Sequence, residues 1–483
     1  MWTVIASFGG RAAGVLGTLV ITRFLHPEVI GEVSVATILA MTANWLTVWG
    51  FGQYTVVAGR GPDAREVAWH ATVFYVGLGA LSLGALALLG GPLADAIDAP
   101  RAAIYVPGMA LAVFIRRLGA MPERILIQRM DFRASGQVLF AGELAYAVVA
   151  VALAALGWGG TAIVVGNLVQ STLVVAILIR AAGLRSWATP TRLRLARMRD
   201  MLAYGLPLGV QGLAHNAARY WDNLAIAHLF GPARLGAYQL AYSLADIPAN
   251  QIGEQMTLVL LPSFAELPRE RRARVLERAS AVLSLVIFPL AIGLGLVAYP
   301  LIALILPANE WQEVAPLLTV LACLSIFRPI TWVLSAYLEA ERRTRTLMVL
   351  ELAKLGLLLG GIVVLAPLGL RAAAGAVGIA FGATAIAGIA LVARGGPSPV
   401  RLFLSFVRPL AACVVMIGAV WLAHRTLATA GVVAPIAYLA LEIAAGAIAY
   451  IVAALVVCRE TTRDLLELAR DAIGRRPWRR RRT

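Results

Sequence analysis

The stretch ITRFLHPEVIGEVSVA at residues 21–36 returns 205 positions later as IAHLFGPARLGAYQLA at 226–241. Pro27 matches Pro232, Gly31 matches Gly236 and Ala36 matches Ala241 at that single offset. Farther along, Glu-Leu-Ala at 143–145 recurs at 351–353, an offset of 208. Two matches at nearly one spacing point to a duplicated chain, and what lies between the copies decides its fold.

Between them lies close to continuous apolar sequence. Of the 483 residues 60% are hydrophobic and 14% charged, with a mean hydropathy of +0.80. A soluble chain of this length carries roughly 25% charge. Many apolar runs reach about 20 residues, enough to cross a hydrocarbon core of about 30 Å. Breaks at charged, Pro and Gly residues give fourteen expected spans: 2–24, 31–58, 68–94, 102–121, 137–157, 159–181, 203–229, 235–261, 279–306, 312–338, 347–367, 371–393, 403–424 and 432–457. The fold class expected is an all-α polytopic membrane protein. The opening segment, with Arg11 inside its apolar run and no basic lead, is read as a first retained span and not a cleaved leader.

Charge placement orients the spans. The net charge is +16, and every basic residue except Lys354 is arginine. Of 42 basic residues, 34 fall in one alternate set of loops and the tail, while Arg23, Arg101, Arg234, Arg371 and Arg425 make up the other set. Such bias puts the rich side, and both termini, in the cytoplasm. It also argues against nucleic acid, because the arginines punctuate spans and form no continuous basic face. RLRLARMRD at 192–200 reads as a basic helix on the cytoplasmic surface, and the tail GRRPWRRRR at 474–482 as a topological anchor or a site for anionic headgroups. Cys323, Cys413 and Cys458 sit in apolar segments without paired spacing, which supports neither disulfides nor a metal site.

Six spans separate the repeat copies. That even number makes the duplication parallel, about an axis along the membrane normal. The expected organisation is an N-lobe at 1–183, a basic linker at 184–202, a C-lobe at 203–395, two further spans at 396–458 and a basic tail at 459–483. A binding site between lobes follows as the default.

The seventh and eighth expected spans carry the chemistry. In AHNAARYWDNLAIAHLF at 214–230, His215, Asn216, Arg219, Asp222 and Asn223 fall with Gln211 in one arc of a helix, as a face on a hydrated chamber requires. Gln239, Ser243, Asp246, Asn250 and Glu254 form a second stripe, and Pro248 is placed to kink that helix. Each charge at the bilayer centre costs roughly 2.5–3.5 kcal/mol on an insertion scale. Arg11, Arg219 and Arg328 are read as anion-binding groups, with His215, Asn216 and Asn223 as polar contacts. Asp222, Asp246 and Glu254 are read as carboxylates for H⁺ or Na⁺ coupling. The bland alternative is an Arg219–Asp222 pair one turn apart that merely neutralises itself.

The chain resembles the polysaccharide (oligosaccharide) flippase family, in the superfamily that includes the multidrug and toxin extruders. The residues that carry the resemblance are TRFLHPEVIGEVSVA, IQRMDFRASGQVLFAGELAYAVVAVALAALGWG at 127–159, YGLPLGVQGLAHNAARYWDNLAIAHLFGPARLGAYQLAYSLADIPANQI at 204–252 and LLPSFAEL at 260–267. The resemblance implies two six-helix lobes plus two helices, and a lipid-diphosphate-linked oligosaccharide moved across the bacterial inner membrane. It further implies a basic cavity, membrane lipids and polysaccharide assembly proteins as partners, a monomer, and no cofactor beyond a coupling ion. A cation extruder of the same superfamily is the alternative. A membrane enzyme fits poorly, because every outward loop is about ten residues or fewer, too short for a cleft even where DAID at 95–98 offers acids.

Overall fold

The computed structural model describes residues 14, 16–58, 63–128, 132–266, 268–307, 310–341, 343–393, 398–429 and 434–474. Among them there is no strand, and the chain is a succession of helices. Two compact units result: one holds the chain to Gln239 with Leu306–Gln312, the other Leu240–Ile305 with Glu313 onward.

The first unit contains α1 (Pro27–Trp45), α2 (Phe51–Ala58), α3 (Ala64–Asp95), α4 (Val106–Leu118), α5 (Ala120–Gln128), α6 (Phe132–Ala155), α7 (Thr161–Ala182), α8 (Leu195–Phe230) and the first turns of α9 (Pro232–Glu266). Helices α6 and α7 form its tightest hairpin, α4 packs on α3 and α7, and α1 lies against α3, α4 and α8. The second unit takes the rest of α9 with α10 (Arg269–Leu296), α11 (Ala298–Ile305), α12 (Val314–Leu324), α13 (Phe327–Ala340), α14 (Thr344–Leu365), α15 (Leu370–Ala393), α16 (Pro399–Thr429), α17 (Pro435–Val457) and α18 (Arg459–Gly474). Here α14–α15 and α16–α17 are hairpins, and α10 packs along α16. Its core gathers Phe264, Ile287, Phe288, Tyr337, Phe406 and Met416.

Local chemistry explains the helix ends. Gly231, at φ +84°, closes α8 in the left-handed conformation, and Pro232 opens α9 at once. Pro27 opens α1 in the same way after His26. Apolar side chains outside the cores stay exposed in each unit: Leu88 at 86% and Leu156 at 74%, Val456 at 76% and Val364 at 73%. Water would not tolerate that surface, and acyl chains would.

Eight stretches among the described residues are long and apolar enough to cross a bilayer, including Ala64–Asp95, Thr161–Ala182, Leu370–Ala393 and Pro435–Val457. The chain is a multi-pass, all-helical membrane protein. The first expected span lies largely outside the described residues, and each of the others falls on helix. Several depart from a single apolar rod. Span 31–58 breaks at Gly50 (φ +64°), span 312–338 breaks at Ser325–Ile326, and span 102–121 divides at Gly119. The expected surface helix at 192–200 is also corrected. Residues 192–194 are non-helical, and Leu195 begins the same helix that runs to Phe230, because no breaker stands at the Asp200–Met201 junction.

Candidate functional site

Helix α8 delivers three polar side chains into the first unit. Asp222 and Asn223 are each 1% exposed and Asn216 is 3% exposed. Tyr238 Oη donates to Asp222 Oδ2 at 2.9 Å, and Asn223 Nδ2 donates to Asp222 Oδ1 at 2.9 Å. Tyr238 comes from the first turns of α9 and is wholly buried, so the repeat segment itself supplies the donor. Asn216 Nδ2 and Asn223 Oδ1 are buried with no hydrogen-bond partner among the described residues. An orphaned amide in a closed interior costs about 1–3 kcal/mol, so this patch has unspent polar capacity. Arg219 is half-buried, its guanidinium 5.8 Å from the Tyr220 ring.

The second unit brings together two residues that the sequence left apart. Arg328, on α13, forms an ion pair with Asp246, on α9, and both side chains are about nine-tenths buried. The Arg328 guanidinium also stands 5.0 Å from the Tyr242 ring and 5.3 Å from the Phe381 ring. Lys354 Nζ lies 5.0 Å from that same Phe381 ring and 2.6 Å from Glu351 Oε2. One aromatic ring therefore serves two cations, each with its own carboxylate. Beside this group a small recess of about 20 Å³ has a mixed lining, with Thr331, Ser335, Glu351, Lys354 and Thr384 among Leu334, Leu338, Leu347, Leu350 and Gly388. The break before Phe327 places Arg328 in the first turn of α13, where Pro329 cannot extend the preceding hydrogen-bond ladder.

Two buried cations escaped the sequence reading because both lie near predicted span ends and were counted with loop arginines and lysine. Lys354 is one, at 7% exposed. Arg117, at 3%, is the other. It donates to Tyr75 O (2.5 Å), Asn44 Oδ1 (2.7 Å), Thr47 Oγ1 (2.9 Å), Thr47 O (3.0 Å) and Asn44 O (3.2 Å), and stacks 4.0 Å from the Tyr75 ring. Gly79 makes room for it, since a Cβ there would overlap the guanidinium. The remaining signal in the sequence was Gly79 one turn after Tyr75, which alone says little.

Arg11 and the side chains of His215, Gln211, Pro248, Asn250 and Glu254 lie outside the described residues. Of the second stripe, Ser243 is exposed, Asp246 is buried, and Gln239 is partly buried with its Oε1 unpartnered among the described residues. No group of three or more His, Cys, Asp or Glu side chains that could hold a metal ion occurs among the described residues. His70 is a satisfied structural histidine: Arg194 N donates to its Nε2 at 2.8 Å, leaving Nδ1–H for Glu66 O at 2.8 Å. The site chemistry is thus that of paired, ring-stacked charges, suited to exchanging one ionic partner for another.

Comparison with known proteins gives the family and the fold. The family model described as "Polysaccharide biosynthesis protein" matches residues 20–316. The succinoglycan biosynthesis transport protein ExoT of Rhizobium meliloti (strain 1021) is 27% identical over 66% of this chain and 64% of its own length. The match thus spans just under two thirds of that relative. The lipopolysaccharide biosynthesis protein WzxC of Escherichia coli (strain K12) is 22% identical over 79% of this chain and 76% of its own. Among solved structures, a lipid II flippase MurJ in an inward closed conformation superposes with a TM-score of 0.76 at 13% identity, over 95% of this chain and 99% of that one. An inward-facing multidrug resistance MATE transporter gives a TM-score of 0.63 at 16% identity, over 81% and 95%. These two likenesses establish the fold.

Proposed function

This chain belongs to the polysaccharide biosynthesis protein family, and from that premise we propose that it carries a lipid-diphosphate-linked oligosaccharide across the bacterial inner membrane by alternating access. The two sequence lobes rock about a chamber while the lipid tail stays among acyl chains. Both termini face the cytoplasm, the working unit is the monomer, and polysaccharide assembly proteins receive the product. No chemical step is assigned to the chain.

The observation that carries this reading is the Arg328–Asp246 pair. A guanidinium is permanently charged, and its planar fork matches diphosphate oxygens. Asp246 neutralises Arg328 in the structure. An arriving diphosphate takes over that guanidinium, and the released carboxylate binds H⁺ or Na⁺. Cargo and coupling ion then load together, and the ion shifts the two access states only by its differential affinity for them. Arg219 and Arg11 supply further positive charge, Asn216, Asn223 and His215 polar contacts to the headgroup, and Asp222 and Glu254 further coupling carboxylates.

The multidrug extruder reading rests on the shared MATE fold. A cation cargo that displaced Arg328 from Asp246 would still face that permanently charged guanidinium, held beside the Tyr242 and Phe381 rings. The test is transport in proteoliposomes, with a fluorescent lipid-diphosphate oligosaccharide in one arm and a cationic dye in the other. Glycan flipping that falls at least about tenfold in Arg328→Ala supports the proposal, a factor worth about 1.4 kcal/mol. Dye efflux without glycan flipping overturns it.

A further inference from the structure

The two copies of the repeat meet. A Cβ on Gly31 would overlap the carbonyl oxygen of Pro232, and a Cβ on Gly236 would overlap that of Pro27. The contact is reciprocal: each copy's glycine receives the other copy's first-turn proline carbonyl. Only a residue without a side chain allows backbones this close. Around the crossing, side chains from the first sequence half reach residues of the second. His26 Nδ1 lies 3.0 Å from Glu310 Oε2, and His228 Nδ1 lies 2.8 Å from Asp98 Oδ2. Asp98 sits at φ +57°, the single non-glycine with positive φ among the described residues, in a left-handed turn that an aspartate tolerates. All of these residues belong to the first unit.

The other end of α8 is held by different chemistry. Gly205 approaches the carbonyl of Trp49, while Gly209 and Gly212 accommodate the Trp49 and Trp45 rings. Arg197 Nη2 pairs with Asp63 Oδ2 at 2.9 Å and Arg197 Nε stands 3.7 Å from Glu66 Oε1. Between the two ends, Trp221 Nε1 donates to Thr42 Oγ1 at 3.3 Å. One end thus closes through the α1–α9 glycine crossing with two His–carboxylate contacts alongside, and the other through Gly205 of α8 against the Trp49 carbonyl between α1 and α2, with the Arg197–Asp63 ion pair alongside.

We infer that the Gly31–Pro232 and Gly236–Pro27 crossing, latched by His26–Glu310 and His228–Asp98, is the gate that closes the chamber at the end the arginine bias places outside. Opening that end requires α1 and the start of α9 to part. The exposed latches add little stability singly, and the glycine contacts set how closely the helices shut. The placement of the gate rests on the alternating-access reading, but its test does not depend on the cargo.

The test uses the full chain in membranes, with Cys323, Cys413 and Cys458 replaced by Ala and a single probe, Thr42→Cys, on the seam. A membrane-impermeant maleimide is added from outside. Gly31→Ala forces the crossing open and is expected to speed labelling about tenfold through a shifted closed–open equilibrium. Gly77→Ala, whose Cβ meets nothing within 4 Å, is the control and leaves the rate unchanged. In a His228→Cys/Asp98→Cys background the latch thiols are themselves exposed, so labelling is read by mass spectrometry at the Thr42→Cys peptide alone. Oxidation to the disulfide with copper phenanthroline is expected to slow it, and reduction, with the reductant removed before the maleimide is added, to restore it. That arm decides the matter if Gly31→Ala fails to accumulate. Equal labelling in the oxidised and reduced states, or in Gly31→Ala and its parent, overturns the gate. Slow labelling that the latch controls, together with no glycan transport, would keep the gate and discard the cargo.

Discussion

Arg117 Nη1 donates to Asn44 Oδ1 at 2.7 Å, so a cation from α4 closes the C-terminal end of α1. The same guanidinium takes the Asn44 and Thr47 carbonyls. They lie in the last turn of α1 and just beyond it, at the negative end of the helix dipole. No carboxylate lies within ion-pair distance of Arg117 among the described residues. Its charge is neutralised by oriented backbone.

Removing that cation should be costly. Arg117→Leu removes the guanidinium's hydrogen bonds to Asn44 and Thr47, at the break between α1 and α2, and to the Tyr75 carbonyl of α3. With hydrogen bonds to charged groups worth about 1.5–3 kcal/mol each, a loss of about 3 kcal/mol or more is expected. Arg117→Lys should recover only part, because an ammonium cannot span acceptors on three residues. Gly79→Ala should mimic the loss by evicting the guanidinium. Thermal unfolding in detergent reads all three, and a Gly79→Ala protein as stable as its parent would contradict the packing.

The Tyr238 hydroxyl is one of two hydrogen-bond donors seen on buried Asp222. Tyr238→Phe keeps the ring, which is wholly buried, and deletes only that donor. The expected cost is about 1–3 kcal/mol, the worth of one hydrogen bond to a buried carboxyl group. Asp222→Asn in the same background should return part of the loss, because an amide presents one acceptor oxygen where the carboxyl group presents two. A double variant no better than Tyr238→Phe alone would show that Asp222 leans on other partners.

How far the sequence announces these features differs from feature to feature. Pro27, Gly31, Pro232 and Gly236 stand out at one offset because a close backbone crossing admits few residue types. Helix positions are legible too, since a bilayer demands long apolar runs. The breaks at Gly50 and Gly119 are not, because both neighbours are apolar and hydropathy cannot distinguish a bent path from a straight one. Arg117 and Lys354 were hidden for a related reason. A cation near a span end looks like a topology signal, and only packing shows that it turns inward. The Arg328–Asp246 pair joins residues 82 positions apart, and no periodicity within either helix encodes the distance between them.

Tyr450 ties the C-terminal hairpin to the second unit's core. Its hydroxyl donates to Leu285 O at 2.6 Å, linking α17 to α10 within an apolar cluster. Tyr450→Phe should cost about 1 kcal/mol, the net worth of a neutral buried hydrogen bond. Tyr450→Ala should cost about 3–5 kcal/mol, because it also leaves a cavity in the apolar cluster to which Tyr450 belongs. Limited proteolysis after Arg408 or Arg425 should accelerate in the second variant and not in the first. Equal effects would mean the ring contributes no packing.

The Arg328–Asp246 pair gives the sharpest energetic test, because a buried ion pair behaves differently when broken and when replaced. Arg328→Met removes the ion-pair partner of buried Asp246 and should cost about 3–5 kcal/mol. Asp246→Asn leaves Arg328 charged, but the Tyr242 and Phe381 rings still face it, so its cost should be smaller, about 2–3 kcal/mol. The double variant should be more stable than Arg328→Met alone, since neither charge is then stranded. A coupling energy of about 2 kcal/mol or more in the double-mutant cycle fits residues in contact. Additive losses would mean the two charges are each solvated separately, and the exchange of Asp246 for a diphosphate would lose its structural basis. The same variants divide function from stability. If the pair exchanges partners during transport, Asp246→Asn should flip glycan without responding to an imposed ion gradient, while Arg328→Met should bind little glycan at all.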